Sequence, residues 1–121
     1  PQQFVPPPGQ GVLAVEMRDG QEFISNLLRT IEHSPTRQAI TAERAFLETL
    51  GGGCQVPVGA YAYAEAETLI LTVFIGSPDG KNVFRDTLHG SMHNPVQLAT
   101  NAYEALVQQG AGELLETARA E

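Results

Sequence analysis

The side chain best suited to chemistry in this sequence is the thiol of Cys54, its one cysteine. The glycines Gly51–Gly53 precede it directly, and a strand-like segment follows. A nucleophilic thiol needs a basic neighbour or a helix N-terminus, whereas Cys54 follows a predicted helix C-terminus, whose dipole disfavours negative charge. Glycines let a bulky group approach the backbone closely. The pattern therefore favours a thiol that carries a group, and a small buried hydrophobe is the plain alternative.

A second candidate is the run Gly9-Gln10-Gly11 with Ala14, which imitates the G-x-G-x-x-A fingerprint of dinucleotide-binding proteins. That fingerprint works because a strand precedes it and a helix follows it, so that the helix N-terminus holds phosphate. Here a proline-rich segment precedes the glycines and a predicted strand follows them. We therefore expect no nucleotide site at this run.

Metal and carboxylate sites have equally little support. His89 and His93 are four residues apart, a spacing that can bind metal on a helix, but the surrounding HGSMHN is typical of a loop and offers no third ligand nearby. We expect no metal site. The acidic pairs are assigned to solvated helix faces and a hairpin turn; they are Glu43 with Glu48, and Glu65 with Glu67.

The elements that position these residues follow from hydrophobic periodicity. In chain order, the sequence predicts a strand at 12–17, helices at 21–31 and 34–50, strands at 56–62, 68–75 and 82–88, a helix at 95–109 and a last turn at 113–118. Ser34 and Asn94 precede prolines and are expected to cap their helices, and the first two helices should pack antiparallel. Hairpin-length connections forbid parallel crossovers. The predicted fold class is α+β, a three-stranded antiparallel sheet with helices packed on one face (α-β-β-β-α).

The first predicted strand does not fit this sheet. It precedes both helices and follows a segment rich in proline, so we interpret it as an orphan strand that belongs to another sheet, one that this chain does not contain. Without a partner sheet, Val12, Leu13 and Val15 should be exposed and the strand flexible or paired with another copy.

Composition narrows the class of partner. The 121 residues carry a formal net charge of −7, which repels nucleic acid and anionic membranes. No apolar run approaches the roughly 20 residues of a membrane span, and one cysteine makes no internal disulfide. The start PQQFVPPPGQG has neither a signal peptide's pattern nor an initiator Met. We expect a cytoplasmic protein whose chain was trimmed or begins inside a longer one.

Four segments together resemble the porphobilinogen deaminase (hydroxymethylbilane synthase) family. They are GQGVLAVEMR (9–18), TAERAFLETLGGGCQVPVGAYA (41–62), SPDG (77–80) and QQGAGELL (108–115). The resemblance covers essentially the whole chain, and the second segment is the most specific because it couples a helix, a glycine run, a cysteine and a strand. Gly51 and Met17 depart from the usual pattern, in which glutamate and cysteine are common at these positions.

The resemblance implies a cofactor and a reaction. Cys54 would hold a dipyrromethane cofactor through a thioether, and Gln10 would contact the pyrrole chain beside the cleft. The family condenses four porphobilinogen molecules head to tail with loss of ammonia and then hydrolyses off linear hydroxymethylbilane. Its members have two further domains upstream, which supply the catalytic aspartate and most of the cations that hold the pyrrole carboxylates. The resemblance thus implies that residues 1–19 are a proline-rich linker and an orphan strand of the upstream domain, and that 20–121 are the carboxy-terminal domain that carries the cofactor.

The resemblance therefore implies that no catalytic residue lies within this chain. We expect an isolated chain to be inactive, the partners to be porphobilinogen, the growing pyrrole chain and upstream domains 1 and 2, and the full enzyme to be a monomer. The alternative is a free-standing binding or scaffold domain. Double-stranded-RNA-binding domains share the α-β-β-β-α order, but they bind through basic residues, and the predicted helix 95–109 has no Lys or Arg.

Overall fold

Four α-helices and one three-stranded sheet occupy residues 3–51 and 55–120, the part of the chain that the computed structural model describes. The helices are α1 (Glu22–Ile31), α2 (Ser34–Thr49), α3 (Pro95–Leu106) and α4 (Gly112–Ala120); the strands are β1 (Val58–Glu65), β2 (Thr68–Gly76) and β3 (Val83–Ser91). A π-helical turn, Val107–Ala111, joins α3 to α4.

The sheet is an antiparallel meander in the order β1-β2-β3, which confirms the predicted fold class. Leu71 on the central strand pairs with Ala62 on β1 and with Leu88 on β3. The Ser77-Pro78-Asp79-Gly80 sequence forms the second hairpin turn as expected: Gly80 N donates to Ser77 O at 2.9 Å, and Ser77 Oγ donates to Asp79 Oδ1 at 2.6 Å. Short connections of this kind leave neighbouring strands antiparallel.

The core lies between one face of the sheet and the helices α2, α3 and α4. Alternate residues of β2 are fully buried on that face, and they are Leu69, Leu71, Val73 and Ile75. Phe46 of α2, Leu106 of α3 and Leu115 of α4 meet them in one hydrophobic cluster. The helical period of α2 and the period of two in β2 thus bring their apolar faces together. No helix within residues 3–51 and 55–120 is long and apolar enough to cross a bilayer.

The segment before α2 is arranged differently from the prediction. None of the ten residues of α1 is buried, so the expected packing of α1 on α2 is wrong in this chain. Residues 12–18 form no strand with the described residues, although Leu13 and Val15 are exposed as expected. Because a strand needs a partner edge, pairing of 12–17 with an upstream sheet stays a prediction, as does the domain boundary near residue 19.

Three local predictions need correction. The N-cap of α2 is His33, whose Nδ1 accepts from Thr36 N at 3.3 Å, so Ser34 is already helical. Asn94 is the N-cap residue of α3 but makes no side-chain capping bond. His89 lies within β3, which runs three residues beyond the predicted end at Leu88. Gly110, with φ of 113°, breaks the last helix as expected, and α4 then continues to Ala120.

Candidate functional site

Cys54 lies outside the described residues, which end at Gly51 before it and resume at Gln55 after it. Leu50 caps the end of α2 and is fully buried, whereas Gly51 is exposed and has a φ of 78°. Only glycine adopts this left-handed conformation without a steric cost, so Gly51 ends the helix as predicted. On the other side Gln55 is exposed and Val56 is buried. The described chain is therefore outside the core at Gly51 and Gln55 and is back in the core at Val56.

Arg119 of α4 holds the end of α2 from which the connection from Gly51 to Gln55 departs. Its Nη2 donates to Leu50 O at 3.0 Å and to Thr49 O at 3.5 Å. A guanidinium at a helix C-terminus satisfies orphan carbonyls and offsets the negative end of the helix dipole. The sequence does not reveal Arg119 as a partner of this helix end, because a contact across 69 positions leaves no local signal.

Gln10 lies in a turn between the proline-rich segment and residues 12–18. Its side chain is exposed, and its N–H donates to Pro7 O at 3.3 Å. Gly9 and Gly11 on either side have φ of 78° and 81°, so the turn depends on two positions that favour glycine. The geometry presents the Gln10 amide to the surroundings of the domain, where it can donate and accept hydrogen bonds.

Glu43 is buried, so its assignment to a solvated helix face is wrong. Only 5% of the residue is exposed, and its two carboxylate oxygens accept from Gly9 N at 2.8 Å and Ala62 N at 2.9 Å. Burial raises the pKa of this carboxyl above its ordinary value, and the two backbone N–H groups offset part of that rise. The spacing contained the signal: Glu43 is four residues after Ala39 and three before Phe46, on the buried face of α2.

The hydrogen bond between Gly9 and Glu43 joins the Gln10 turn to α2, the same helix that precedes Cys54 in the sequence. Gly9 is bonded to the middle of α2, and the cysteine connection starts at its end. Thr49, the last helical residue, lies six positions after Glu43, a rise of about 9 Å along the axis. The two sequence candidates, Gln10 and Cys54, are thus both tied to α2.

The remaining candidates do not form a site. His93 Nε2 lies 3.1 Å from Glu67 Oε2, both side chains exposed, and His89 is on β3. Within the described ranges no three of the side chains His, Cys, Asp and Glu gather as a metal site would require. Glu48, Glu65 and Glu67 are exposed, as expected. A shallow depression of about 580 Å³ on the open face of the sheet, next to Tyr61 and Tyr63, includes neither Gln10 nor the flanks of Cys54.

Comparison with known proteins identifies the family. The profile described as porphobilinogen deaminase, C-terminal domain, matches residues 37–108, more than half of the chain. The porphobilinogen deaminase of Oceanobacillus iheyensis is 39% identical over 121 residues, which is all of this chain and 38% of that protein. Those of Brevibacillus brevis (47% over 112 residues) and a Roseiflexus species (45% over 115) match 92% and 95% of this chain and 36% and 38% of their own lengths.

The chain thus spans a little over a third of the length of the curated relatives that it matches. The matched profile begins in the first turn of α2, includes the whole sheet and α3, and ends in the π-helical turn after α3. The chain belongs to the porphobilinogen deaminase family and contains its C-terminal domain.

Proposed function

We propose that this chain is the dipyrromethane-anchoring part of a hydroxymethylbilane synthase, with Cys54 as the attachment residue and Gln10 as a contact for the pyrrole chain. The observation that carries the proposal is the end-to-end match with porphobilinogen deaminases, which includes the Gly51–Cys54 connection. The complete enzyme would join four porphobilinogen units and release hydroxymethylbilane. In each condensation the aminomethyl C–N bond breaks, ammonia leaves and a C–C bond forms to the next pyrrole, which loses a proton.

The flanks of Cys54 fit a covalently attached group. Gly51 and Gln55 are both exposed, and glycine has no side chain to obstruct a bulky substituent. The residues of this chain would act as a support: α2 ends under the cap of Arg119, the connection carries the thioether, and Glu43 holds Gly9 beside Gln10. The dipyrromethane itself would prime chain growth and stay with the enzyme.

The charge of the chain supports the assignment of the chemistry to other domains. A pyrrole chain rich in acetate and propionate groups needs a basic cleft, and this chain has fourteen acidic residues against seven basic ones. We therefore place the catalytic groups outside it and expect the chain alone to be inactive. The exposed apolar residues of α1, namely Phe23, Leu27 and Ile31, are the surface on which we expect the upstream part of the enzyme to pack.

Intact mass spectrometry tests the anchor directly. The polypeptide that contains these residues together with its upstream domains should carry the added mass of two linked porphobilinogen units. Cys54→Ser should remove this mass completely, because the substituted oxygen cannot form the thioether. Ser91→Ala, at the exposed end of β3, is the matched control and should retain it.

A Cys54→Ser protein that keeps the added mass would show that the cofactor is attached elsewhere or not covalently. The second test concerns activity: the 121-residue chain incubated with porphobilinogen should release no tetrapyrrole. Tetrapyrrole formation by this chain alone would contradict the placement of the catalytic groups in other domains.

A further inference from the structure

The proline-rich segment 5–9 lies along the edge of β1 that faces away from β2. Ala60 N on that edge donates to Pro6 O at 2.9 Å. Alternate residues of a strand direct their N–H groups to the same side, so the next donor on this edge is Ala62 N. Pro7 and Pro8 have no N–H to donate, and the chain turns at residues 8–10, so the segment does not continue along β1 as a fourth strand.

Glu43 takes the place of the missing backbone acceptor. Its Oε2 accepts from Ala62 N at 2.9 Å, and its Oε1 accepts from Gly9 N at 2.8 Å, where the segment turns away from the sheet. One side chain of α2 thereby joins a residue 34 positions before it to a residue 19 positions after it. A carboxyl group is suited to this place because it offers a separate oxygen to each donor, whereas an amide would direct its own N–H groups at one of the two donors.

The packing around this contact leaves the segment little freedom. A Cβ on Gly59 would lie 2.6 Å from Val5 O, and a Cβ on Gly9 would lie 3.3 Å from Ile40 Cδ1. The segment therefore approaches β1 at one glycine and α2 at another. These contacts limit where Gly9 can sit even before the hydrogen bond to Glu43 is counted.

We infer that Glu43 is a positioning residue, which holds Gly9-Gln10-Gly11 in one place against the unit formed by α2 and β1. We call the two hydrogen bonds from Gly9 N and Ala62 N to Glu43 the clamp. The role of Gln10 as a pyrrole contact rests on the proposed function, whereas the clamp does not. Glu43 fixes Gly9 to the middle of the helix that precedes Cys54. It thereby limits the distance between the Gln10 side-chain amide and the group attached to Cys54.

Amide hydrogen exchange of the 121-residue chain tests the clamp. In the unmodified protein Gly9 N and Ala62 N should be protected, and Glu43→Gln should accelerate exchange at Gly9 by about tenfold or more, since a buried hydrogen bond is lost. Leu71 and Val73 in the central strand should exchange at unchanged rates. Glu48→Gln, on the exposed face of the same helix, is the matched control and should change neither rate.

A positional measurement separates a clamp from a merely stabilising group. A nitroxide on Gln10→Cys, in a Cys54→Ser background that leaves one thiol, should broaden the amide signals of Ala60 and Ala62. The broadening should weaken with Glu43→Gln and persist with Glu48→Gln. Gly59→Ala is a second way to dislodge the segment, because its Cβ meets Val5 O, and it should also accelerate exchange at Gly9 without altering Glu43.

Unchanged exchange at Gly9 in both Glu43→Gln and Gly59→Ala would overturn the inference, and so would a uniform acceleration that includes Leu71 and Val73. Neither measurement needs cofactor or substrate. A failure of the clamp is therefore distinguishable from a failure of the proposed function, which is decided by the mass of the protein and by the effect of Cys54→Ser.

Discussion

Phe46 and Phe23 are both phenylalanines on amphipathic helices, yet Phe46 in α2 is fully buried and Phe23 in α1 is 76% exposed. The difference in burial depends on whether another element packs against the apolar face of each helix. The apolar face of α2 meets the sheet that the following residues form, whereas nothing within the described residues covers α1. An amphipathic pattern thus predicts that a helix has an apolar face, but it does not predict which surface covers that face.

The contrast divides the chain into two regions. The packed region consists of α2 to α4 with the sheet, and the open region consists of residues 12–31. The family match agrees with this division, because the matched profile begins at Arg37, within α2, and leaves α1 outside. In the open region the apolar residues of α1 have no covering surface within residues 3–51 and 55–120.

The largest effect that should separate the two regions is the removal of a phenylalanine ring. Phe46→Ala should lower the free energy of unfolding by about 3–5 kcal/mol, because it leaves a cavity in the core. Phe23→Ala should change it by no more than about 0.5 kcal/mol, as expected for an exposed site. Urea denaturation followed by circular dichroism measures both. Equal losses would mean that α1 is packed in solution.

A smaller effect should come from two glycines with positive φ. Gly110→Ala, in the packed region, should cost about 1–3 kcal/mol, because φ of 113° is strained for alanine and Phe84 lies 3.5 Å from the added Cβ. Gly20→Ala, in the open region, has no atom within 4 Å of the Cβ. Although φ of 83° at Gly20 is equally unfavourable for alanine, the unpacked chain can relax, so thermal unfolding should shift measurably only for Gly110→Ala.

The smallest effect concerns the carboxyl that joins the proline-rich segment to the packed region. The pKa of Glu43 is raised by burial above its ordinary value of 4.5, so the folded protein takes up this proton at a higher pH than the unfolded chain does. The resulting stability is fully present below the ordinary pKa and is lost as pH rises through the folded pKa. Relative to Glu43→Gln, the native protein should therefore gain stability as pH falls through this window.

Urea denaturation of the native chain and of Glu43→Gln at a series of pH values measures this difference. Glu48→Gln serves as the reference for an exposed carboxylate on the same helix. Parallel profiles for the native chain and Glu43→Gln, or a difference that grows as pH rises, would contradict the direction of the shift.

Most of the fold could be predicted from the sequence because its determinants are local. The period of two in Leu69–Ile75, the Ser77–Gly80 turn and the helical stripe of α2 each depend on neighbouring residues. The burial of Glu43 could also have been predicted, from its spacing to Ala39 and Phe46, but its two donors could not, because Gly9 and Ala62 come from distant segments. The prediction for α1 failed for a different reason: its periodicity was interpreted correctly, but no local pattern states which partner buries a face.

The candidate site was predicted only in part for the same physical reason. The glycine run before Cys54 and the glycines beside Gln10 are local features, and Gly9, Gly11 and Gly51 have the positive φ that such residues permit. The contact between Arg119 and the end of α2 spans 69 positions and has no signature in either segment. The attachment role of Cys54 remains a prediction, since that residue lies outside the described ranges.

The meander order of the sheet has a consequence for the speed of folding. All pairings of β1, β2 and β3 join consecutive strands, so the sheet can form from contacts of low sequence separation, which is typical of fast folding. The bond between Gly9 and Glu43 closes a loop of 34 positions and needs α2 and β1 as its template. We therefore expect a refolding chain to complete its sheet first and to fix the proline-rich segment last, as a separate and slower step.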